Sequence, residues 1–114
     1  MLDESNVGRL KAKLVIEGAN IPCTCAAEEY LHSHGVLCLP DFIANAGGVI
    51  CAAMEYRGAS QSSAFDAIAE KLRQNGREVL AGVFERGMLP RDAAMALALK
   101  RVRKAMSLRR WGVF

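Results

Sequence analysis

The fold of this chain is decided by residues 13–58, which read KLVIEGANIPCTCAAEEYLHSHGVLCLPDFIANAGGVICAAMEYRG. This stretch holds two short apolar runs, residues 14–16 and 36–39, with a segment of helical pattern between them. Neither run alternates apolar and polar residues, which is typical of strands covered on both faces by helices. A strand, a helix and a second strand in so short a span predict a crossover between parallel strands near 13–17 and 36–40.

Capping residues set the limits of these elements. Thr24 is a suitable N-cap for the connecting helix, and Gly35 can close it in the left-handed conformation. Pro40 ends the second strand because it cannot donate a hydrogen bond to a neighbouring strand.

Three helices are predicted after the second strand. One runs from about residue 46 to 57, a long one follows Ser62 or Ser63 and ends at Gly87, and the last begins at Pro90. The apolar stripe of the long helix is Phe65, Ile68, Leu72, Val79 and Val83, and that of the last is Met95, Leu99, Val102 and Met106.

The fold class predicted from these elements is α/β, an incomplete doubly wound sheet followed by C-terminal helices. Two strands covered by helices on both sides do not make a stable domain alone. We therefore expect the remaining strands to come from an upstream part of a longer chain or from a second copy. An exposed strand edge of this kind also favours a homo-oligomer.

Composition excludes several classes of protein. The 114 residues are 52% hydrophobic and 24% charged, which indicates a globular chain. The net charge of +3 is too small to imply a nucleic-acid partner. No apolar run is long enough to cross a membrane, and the N-terminus lacks the pattern of a signal peptide, so a cytoplasmic location is expected.

The cysteines do not predict a metal site or a redox site. Cys23 and Cys25 could combine with His32 and His34, but one intervening residue is closer than the spacing of structural zinc sites. The same spacing differs from the Cys-x-x-Cys of redox proteins. We therefore expect no metal and reduced thiols at all four cysteines.

Polar and small residues follow both predicted strands. Because ligands bind beyond the carboxyl ends of strands in open parallel sheets, Asn20 and Asn45 are candidates to contact ribose hydroxyls or a carboxamide. Gly47 and Gly48 would let a ligand approach the backbone at a helix N-terminus. The alternative interpretation is structural: Gly18 forms a turn, Asn45 caps a helix, and the two glycines allow tight packing.

Two motifs decide between these interpretations. Residues 17–22 read EGANIP and residues 39–49 read LPDFIANAGGV. Both closely resemble the C-terminal part of the glutamate/leucine/phenylalanine/valine dehydrogenase family, and the similarity extends over residues 13–58. The resemblance implies a Rossmann-type domain and oxidative deamination of an L-amino acid with NAD or NADP.

The resemblance also implies roles for single residues. Gly18, Ala19 and Asn20 would contact the cofactor, with Asn20 facing the nicotinamide ribose. Asn45 would lie near both the nicotinamide and the substrate. The substrate side would be lined by the opening of the following helix, namely Gly47, Gly48, Val49 and Ala52.

Some family features are altered or missing. Ala52 replaces the serine of glutamate-specific members and cannot bond a side-chain carboxylate, so glutamate specificity is in doubt. The usual Thr-Thr-Pro reads Cys23-Thr24-Cys25. The glycine-rich phosphate turn, the substrate lysines and the catalytic aspartate have no counterpart in this sequence. We therefore expect residues 1–114 to be the C-terminal part of a dinucleotide-binding domain, inactive alone and weak in cofactor binding.

A second class of function remains open at the C-terminus. Basic residues concentrate there, which is compatible with a helical module that binds phosphate groups: Lys100, Arg101, Arg103, Lys104, Arg109 and Arg110. The simpler interpretation is a solvated helix end, where cations are favoured by the helix dipole.

Overall fold

A computed structural model describes residues 1–109. A 3-10 turn, Val7–Arg9, precedes two strands and five helices. In chain order these are β1 (Leu14–Ile16), α1 (Cys25–Ser33), β2 (Leu37–Leu39), α2 (Asp41–Ala44), α3 (Gly47–Tyr56), α4 (Gln61–Arg86) and α5 (Pro90–Ser107). Within the described residues, no helix combines the length and the apolar character that a membrane span requires.

The two strands form a parallel sheet, as the sequence predicts. Leu14 pairs with Leu37 and Ile16 with Leu39, so residues in register share the same face. The connection between them runs through α1. Parallel pairing brings the C-terminal ends of β1 and β2 to one edge, and this edge carries both motifs.

Capping residues set the limits of α1 as predicted. The Thr24 side chain accepts a hydrogen bond from the N–H of Ala27 at 3.1 Å, which satisfies one free donor of the first turn. At the other end, Gly35 has a φ of +72°, the left-handed conformation that suits glycine. Helix α3 likewise ends where predicted, before Gly58.

Helices cover both faces of β2 but only one face of β1. Cys38 of β2 and Val15 of β1 pack under α1, while Leu37 and Leu39 pack against α4 and α5. The expectation that both strands are buried on both faces is therefore wrong for β1. Its Leu14 and Ile16 are 50% and 60% exposed, because α4 and α5 lie beside β2 and do not reach the outer strand.

The predicted start of α4 is corrected by the structure. Ser60, rather than Ser62 or Ser63, is the N-cap, and its hydroxyl accepts the N–H of Ser63 at 3.2 Å. The predicted stripe holds at Val79 and Val83 but not at Phe65, which is 60% exposed. In the first turn the inward position belongs to the small residue Ala64.

The predicted packing face of α5 is wrong. Met95, Leu99, Val102 and Met106 are all exposed. The buried residues of α5 are Pro90, Ala93, Ala94 and Leu97. The physical reason is the close approach of α4 and α5. A Cβ atom built on Gly82 would lie 2.9 Å from the Cβ of Ala93, so small residues form this contact.

The Gly82 contact gives a stability prediction. Gly82→Ala should lower the free energy of unfolding by about 1–3 kcal/mol, because the added methyl group overpacks the α4–α5 contact. Gly76→Ala is the matched control in the same helix, since a Cβ there meets nothing within 4 Å. It should stabilise by about 0.5–1 kcal/mol through helix propensity. Urea unfolding measures both, and equal effects of the two substitutions would contradict the packing account.

Candidate functional site

The candidate site lies at the edge where β1 and β2 end. Gly18, Ala19 and Asn20 follow β1 and are exposed. Asn45, half-buried, follows the short helix α2. The strand ends therefore place both motifs on one open surface.

One hydrogen bond joins the two motifs directly. The Nδ2 of Asn45 donates to the Oδ1 of Asn20 at 2.8 Å, although the residues lie 25 positions apart in the chain. An amide has both donor and acceptor groups, so Asn20 retains its Nδ2 and Asn45 its Oδ1 for a ligand. The predicted convergence of these side chains is therefore present in the structure.

The first residues of α3 do not fit the structural interpretation, in which Asn45 caps the helix and the two glycines allow tight packing. The N-cap of α3 is Ala46, without a side-chain hydrogen bond, so Asn45 does not cap this helix. A Cβ on Gly48 would meet nothing within 4 Å, and one on Gly47 would make only an ordinary contact, 3.5 Å from Ile68. Tight packing among the described residues therefore does not explain either glycine.

The predicted substrate-side residues form an exposed wall. Val49 is 77% exposed, and Gly48 and Ala52 are exposed as well. Together with Asn45 they present a largely apolar surface with one amide at its edge. Such a surface can contact a ligand from one side, and a cleft requires a second wall.

The turn after β1 is held in a strained conformation. Ile21 has a φ of +48°, a value that β-branched residues rarely adopt. Its N–H donates to the Oδ2 of Asp41 at 2.8 Å. Backbone strain of this kind costs about 1–3 kcal/mol and persists only where the surroundings fix it. Asp41 is thus the residue that holds the turn carrying Asn20.

Asp41 is itself held by Glu17, the last residue before the turn. The Oε2 of Glu17 accepts the backbone N–H of Asp41 at 3.0 Å. Burial alone would raise the pKa of Asp41, but the N–H groups of Ile21 and Phe42 and the charge of Arg91 outweigh it and lower that pKa. Asp41 is therefore a carboxylate, fixed between the two strand ends.

Arg91, in the first turn of α5, completes this network. Its guanidinium makes a bidentate contact with Glu28 of α1, with Nε at 2.7 Å from Oε2. It also donates to Glu17 at 3.1 Å and to Asp41 at 3.3 Å. The hydrogen bonds to Glu28 raise the pKa of Arg91, so the guanidinium stays charged. We call these four residues, Glu17, Glu28, Asp41 and Arg91, the carboxylate–arginine network.

Sequence reasoning missed this network, although one signal was present. A cation in the first turn of a helix is disfavoured by the helix dipole, so Arg91 directly after Pro90 indicates a specific acidic partner. Neither the identity nor the number of its partners can be obtained from spacing, since they lie 50 to 74 positions away.

The structure also shows where the other groups considered in the sequence analysis lie. Cys23 is buried and Cys25 exposed, so they do not face a common site. The basic residues from Lys100 to Arg109 are exposed on α5 and beyond its end, with Arg101 paired to Glu78 at 3.2 Å. Arg110 lies outside the described residues.

Known proteins are similar to this chain in sequence. The sequence profile described as Glutamate/Leucine/Phenylalanine/Valine dehydrogenase matches residues 1–110. The chain is 38% identical to glutamate dehydrogenase from Aeropyrum pernix, over 97% of this chain and 29% of that protein. It is 39% identical to NADP(+)-dependent glutamate dehydrogenase from Pyrobaculum calidifontis, over 95% of this chain and 27% of that protein.

A solved structure supports the same relationship. Glutamate dehydrogenase from Peptoniphilus asaccharolyticus superposes with a TM-score of 0.81 at 25% identity, covering 98% of this chain and 30% of that one. The chain thus spans less than a third of the length of each of these three proteins.

The carboxylate–arginine network predicts that two arginine substitutions differ in their effect on the free energy of unfolding. Arg91→Met should lower the free energy of unfolding by about 3 kcal/mol, because three carboxylates lose their common cation. This value is at the lower end for buried pairs, since the Arg91 side chain is 28% exposed. Arg101→Met is the matched control: its pair with Glu78 is 43% and 39% exposed, and its loss should cost about 0–1 kcal/mol.

Urea unfolding of both variants measures the difference. Similar losses of stability for Arg91→Met and Arg101→Met would show that the network is only an ordinary surface ion pair.

Proposed function

The chain belongs to the glutamate/leucine/phenylalanine/valine dehydrogenase family, and we propose that it forms the nicotinamide- and substrate-facing wall of an NAD(P)-dependent amino-acid dehydrogenase. The reaction is the oxidative deamination of an L-amino acid to a 2-oxo acid and ammonia. In this proposal residues 1–114 correspond to the C-terminal part of a Rossmann-type dinucleotide-binding domain.

The hydrogen bond between Asn45 and Asn20 is the observation that carries the proposal. It joins the two family motifs at the carboxyl ends of parallel strands, where dinucleotides bind in open α/β sheets. Two amides held at a fixed separation can contact a ribose hydroxyl and a carboxamide at the same time. A purely structural role would not require both amides on an exposed surface.

Each strand end has its own role in this proposal. Gly18, Ala19 and Asn20 contact the cofactor, and Asn20 bonds the nicotinamide ribose. Asn45 lies between the nicotinamide and the substrate. These residues bind and orient the cofactor and the substrate. Because the lysines and the aspartate that the family uses for proton transfer have no counterpart here, we assign no catalytic residue to this chain.

The cofactor is NAD or NADP, and the whole protein supplies most of its binding energy. A relative in Pyrobaculum calidifontis is named as NADP(+)-dependent. The glycine-rich turn that binds the pyrophosphate is absent from this sequence. The described residues therefore offer contacts for the nicotinamide half, and we expect residues 1–114 alone to bind the cofactor weakly and to show no turnover.

Ala52 bears on the choice of substrate. Together with Gly47, Gly48 and Val49, it presents methyl groups and backbone to the proposed amino-acid side chain. A methyl group cannot bond a carboxylate, and a buried carboxylate without a partner is costly. We therefore propose a substrate with an apolar side chain, although the relatives described above are named for glutamate.

We further propose that the protein is a cytoplasmic homo-oligomer. Among the described residues β1 pairs only with β2, so its other edge is open, and an open strand edge pairs readily with another chain. Leu14 and Ile16 also leave an apolar face of β1 uncovered. Sedimentation of the complete protein should give a mass above that of one chain, and a compact monomer would contradict this part of the proposal.

The central test is an activity assay of the complete protein. We expect reduction of NAD⁺ or NADP⁺ with a panel of L-amino acids, and a higher kcat/KM for apolar amino acids than for glutamate. Asn45→Ala and Asn20→Ala should each lower kcat/KM by about 10–100-fold, the loss of one or two hydrogen bonds to the ligands.

Gln74→Ala is the matched control, because this amide is exposed on α4, away from the strand ends. It should leave kcat/KM unchanged. Absence of nicotinamide reduction with every amino acid would contradict the proposed function, and equal effects of all three substitutions would contradict the proposed site.

A further inference from the structure

Three potential metal ligands converge beneath the strand end that carries Gly18. The carboxylate of Glu17 and the thiols of Cys23 and Cys38 have ligand atoms that all lie within 4.8 Å of one another. The three residues are buried, with exposures of 2%, 4% and 4%. The sequence offered no such group, because Cys23 and Cys38 are brought together only by the crossover through α1.

The two oxygens of Glu17 have separate partners. Its Oε2 accepts hydrogen bonds from the Asp41 N–H and from Arg91. Its Oε1 accepts the thiol of Cys38 at 3.2 Å. Oε1 can therefore bind a cation in place of the thiol proton without disturbing the network around Arg91.

The surroundings are short of positive charge. Three carboxylates share the single guanidinium of Arg91, namely those of Glu17, Glu28 and Asp41. Burial is the main cause that raises the pKa of Glu28, and the charge of Glu17 adds to it against the opposing attraction of Arg91. A further cation next to Glu17 would reduce the electrostatic repulsion among these groups.

A redox role does not suit the two thiols. Burial, and then the hydrogen bond and charge of Glu17, raise the pKa of Cys23 to about 12. The same causes raise the pKa of Cys38. Since the thiolate is the reactive form, these cysteines are slow nucleophiles as long as no cation is bound.

We propose that Glu17, Cys23 and Cys38 bind a divalent thiophilic cation of the zinc class. Two thiolates and one carboxylate are a suitable donor set for this ion, and a water molecule can occupy a fourth position. On binding, two metal–sulfur bonds and one metal–oxygen bond form, and the two thiol protons pass to solvent. The ion would fix Glu17 and thereby the turn that follows it.

An entry path exists on the surface. Glu17 and Cys23 line a pocket together with Leu2 and Pro22. The N-terminal segment lies along this pocket, where the N–H of Leu2 donates to Pro22 at 2.7 Å and the N–H of Thr24 to Leu2 at 3.0 Å.

The experiment is a titration of the complete, reduced and metal-free protein with Cd²⁺, which reports thiolate binding through an ultraviolet charge-transfer band. We expect one site of this kind per chain, release of about two protons per ion, and displacement of Cd²⁺ by Zn²⁺. Cys23→Ser and Cys38→Ser should each lower the affinity by at least ~100-fold, more than changes beyond the ligands cost.

Cys25→Ser and Cys51→Ser are the matched controls, because neither thiol belongs to the group, and both should keep the band and the affinity. The proposal is overturned if the wild-type protein shows no such site, or if all four variants bind Cd²⁺ equally. Should the serine variants fail to fold, cadmium NMR of the wild-type protein decides: a shift typical of two sulfur donors supports the site, and one typical of oxygen donors alone overturns it.

Discussion

The contacts of Arg91 are the constraint on which the site depends. One guanidinium joins α5 to Glu28 of α1, to Glu17 at the end of β1 and to Asp41 at the start of α2. Removing charges from water is expensive, and the cost is offset only when every group finds its partner with good geometry. The network therefore favours one arrangement of the two strand ends over slightly shifted arrangements. A purely apolar contact would tolerate such shifts.

This constraint accounts for the strained backbone beside it. Asp41, held by Glu17 and Arg91, accepts the N–H of Ile21 and keeps that residue at a φ of +48°. The turn then directs Asn20 toward Asn45, where the two amides meet at 2.8 Å. Strain in a surface turn has no evident benefit for stability, and it is understandable if the turn must hold Asn20 for a ligand.

Much of the fold could be predicted from local signals. Four residues set the ends of elements through their own backbone or side-chain chemistry, and these ends are found where predicted: Thr24, Gly35, Pro40 and Gly87. The α5 face was not predictable in this way. Its four large apolar residues suggested a core, but Gly82 brings α4 so close that only the alanine side of α5 fits.

The candidate site was predictable only in part, for the same reason. The convergence of Asn20 and Asn45 follows from parallel strands, because their ends must meet at one edge. The residues that fix Asn20 and Asn45 cannot be predicted in this way. Arg91 lies far along the chain from Glu17 and Asp41, and no periodicity links the three residues. The exposed side of β1 was missed because an apolar run does not tell which neighbour covers it.

Hydrogen exchange of the Ile21 amide in Arg91→Met tests the central claim most directly. The internal reference is the Ser63 amide, which the Ser60 hydroxyl holds at the start of α4 and which can exchange by local opening without unfolding of the core. If the network holds the turn, exchange at Ile21 should accelerate relative to Ser63 by about tenfold or more, equivalent to 1.4 kcal/mol. The ratio should not change in Arg101→Met. An unchanged ratio in Arg91→Met would mean that the turn is fixed without Arg91, and would contradict the account.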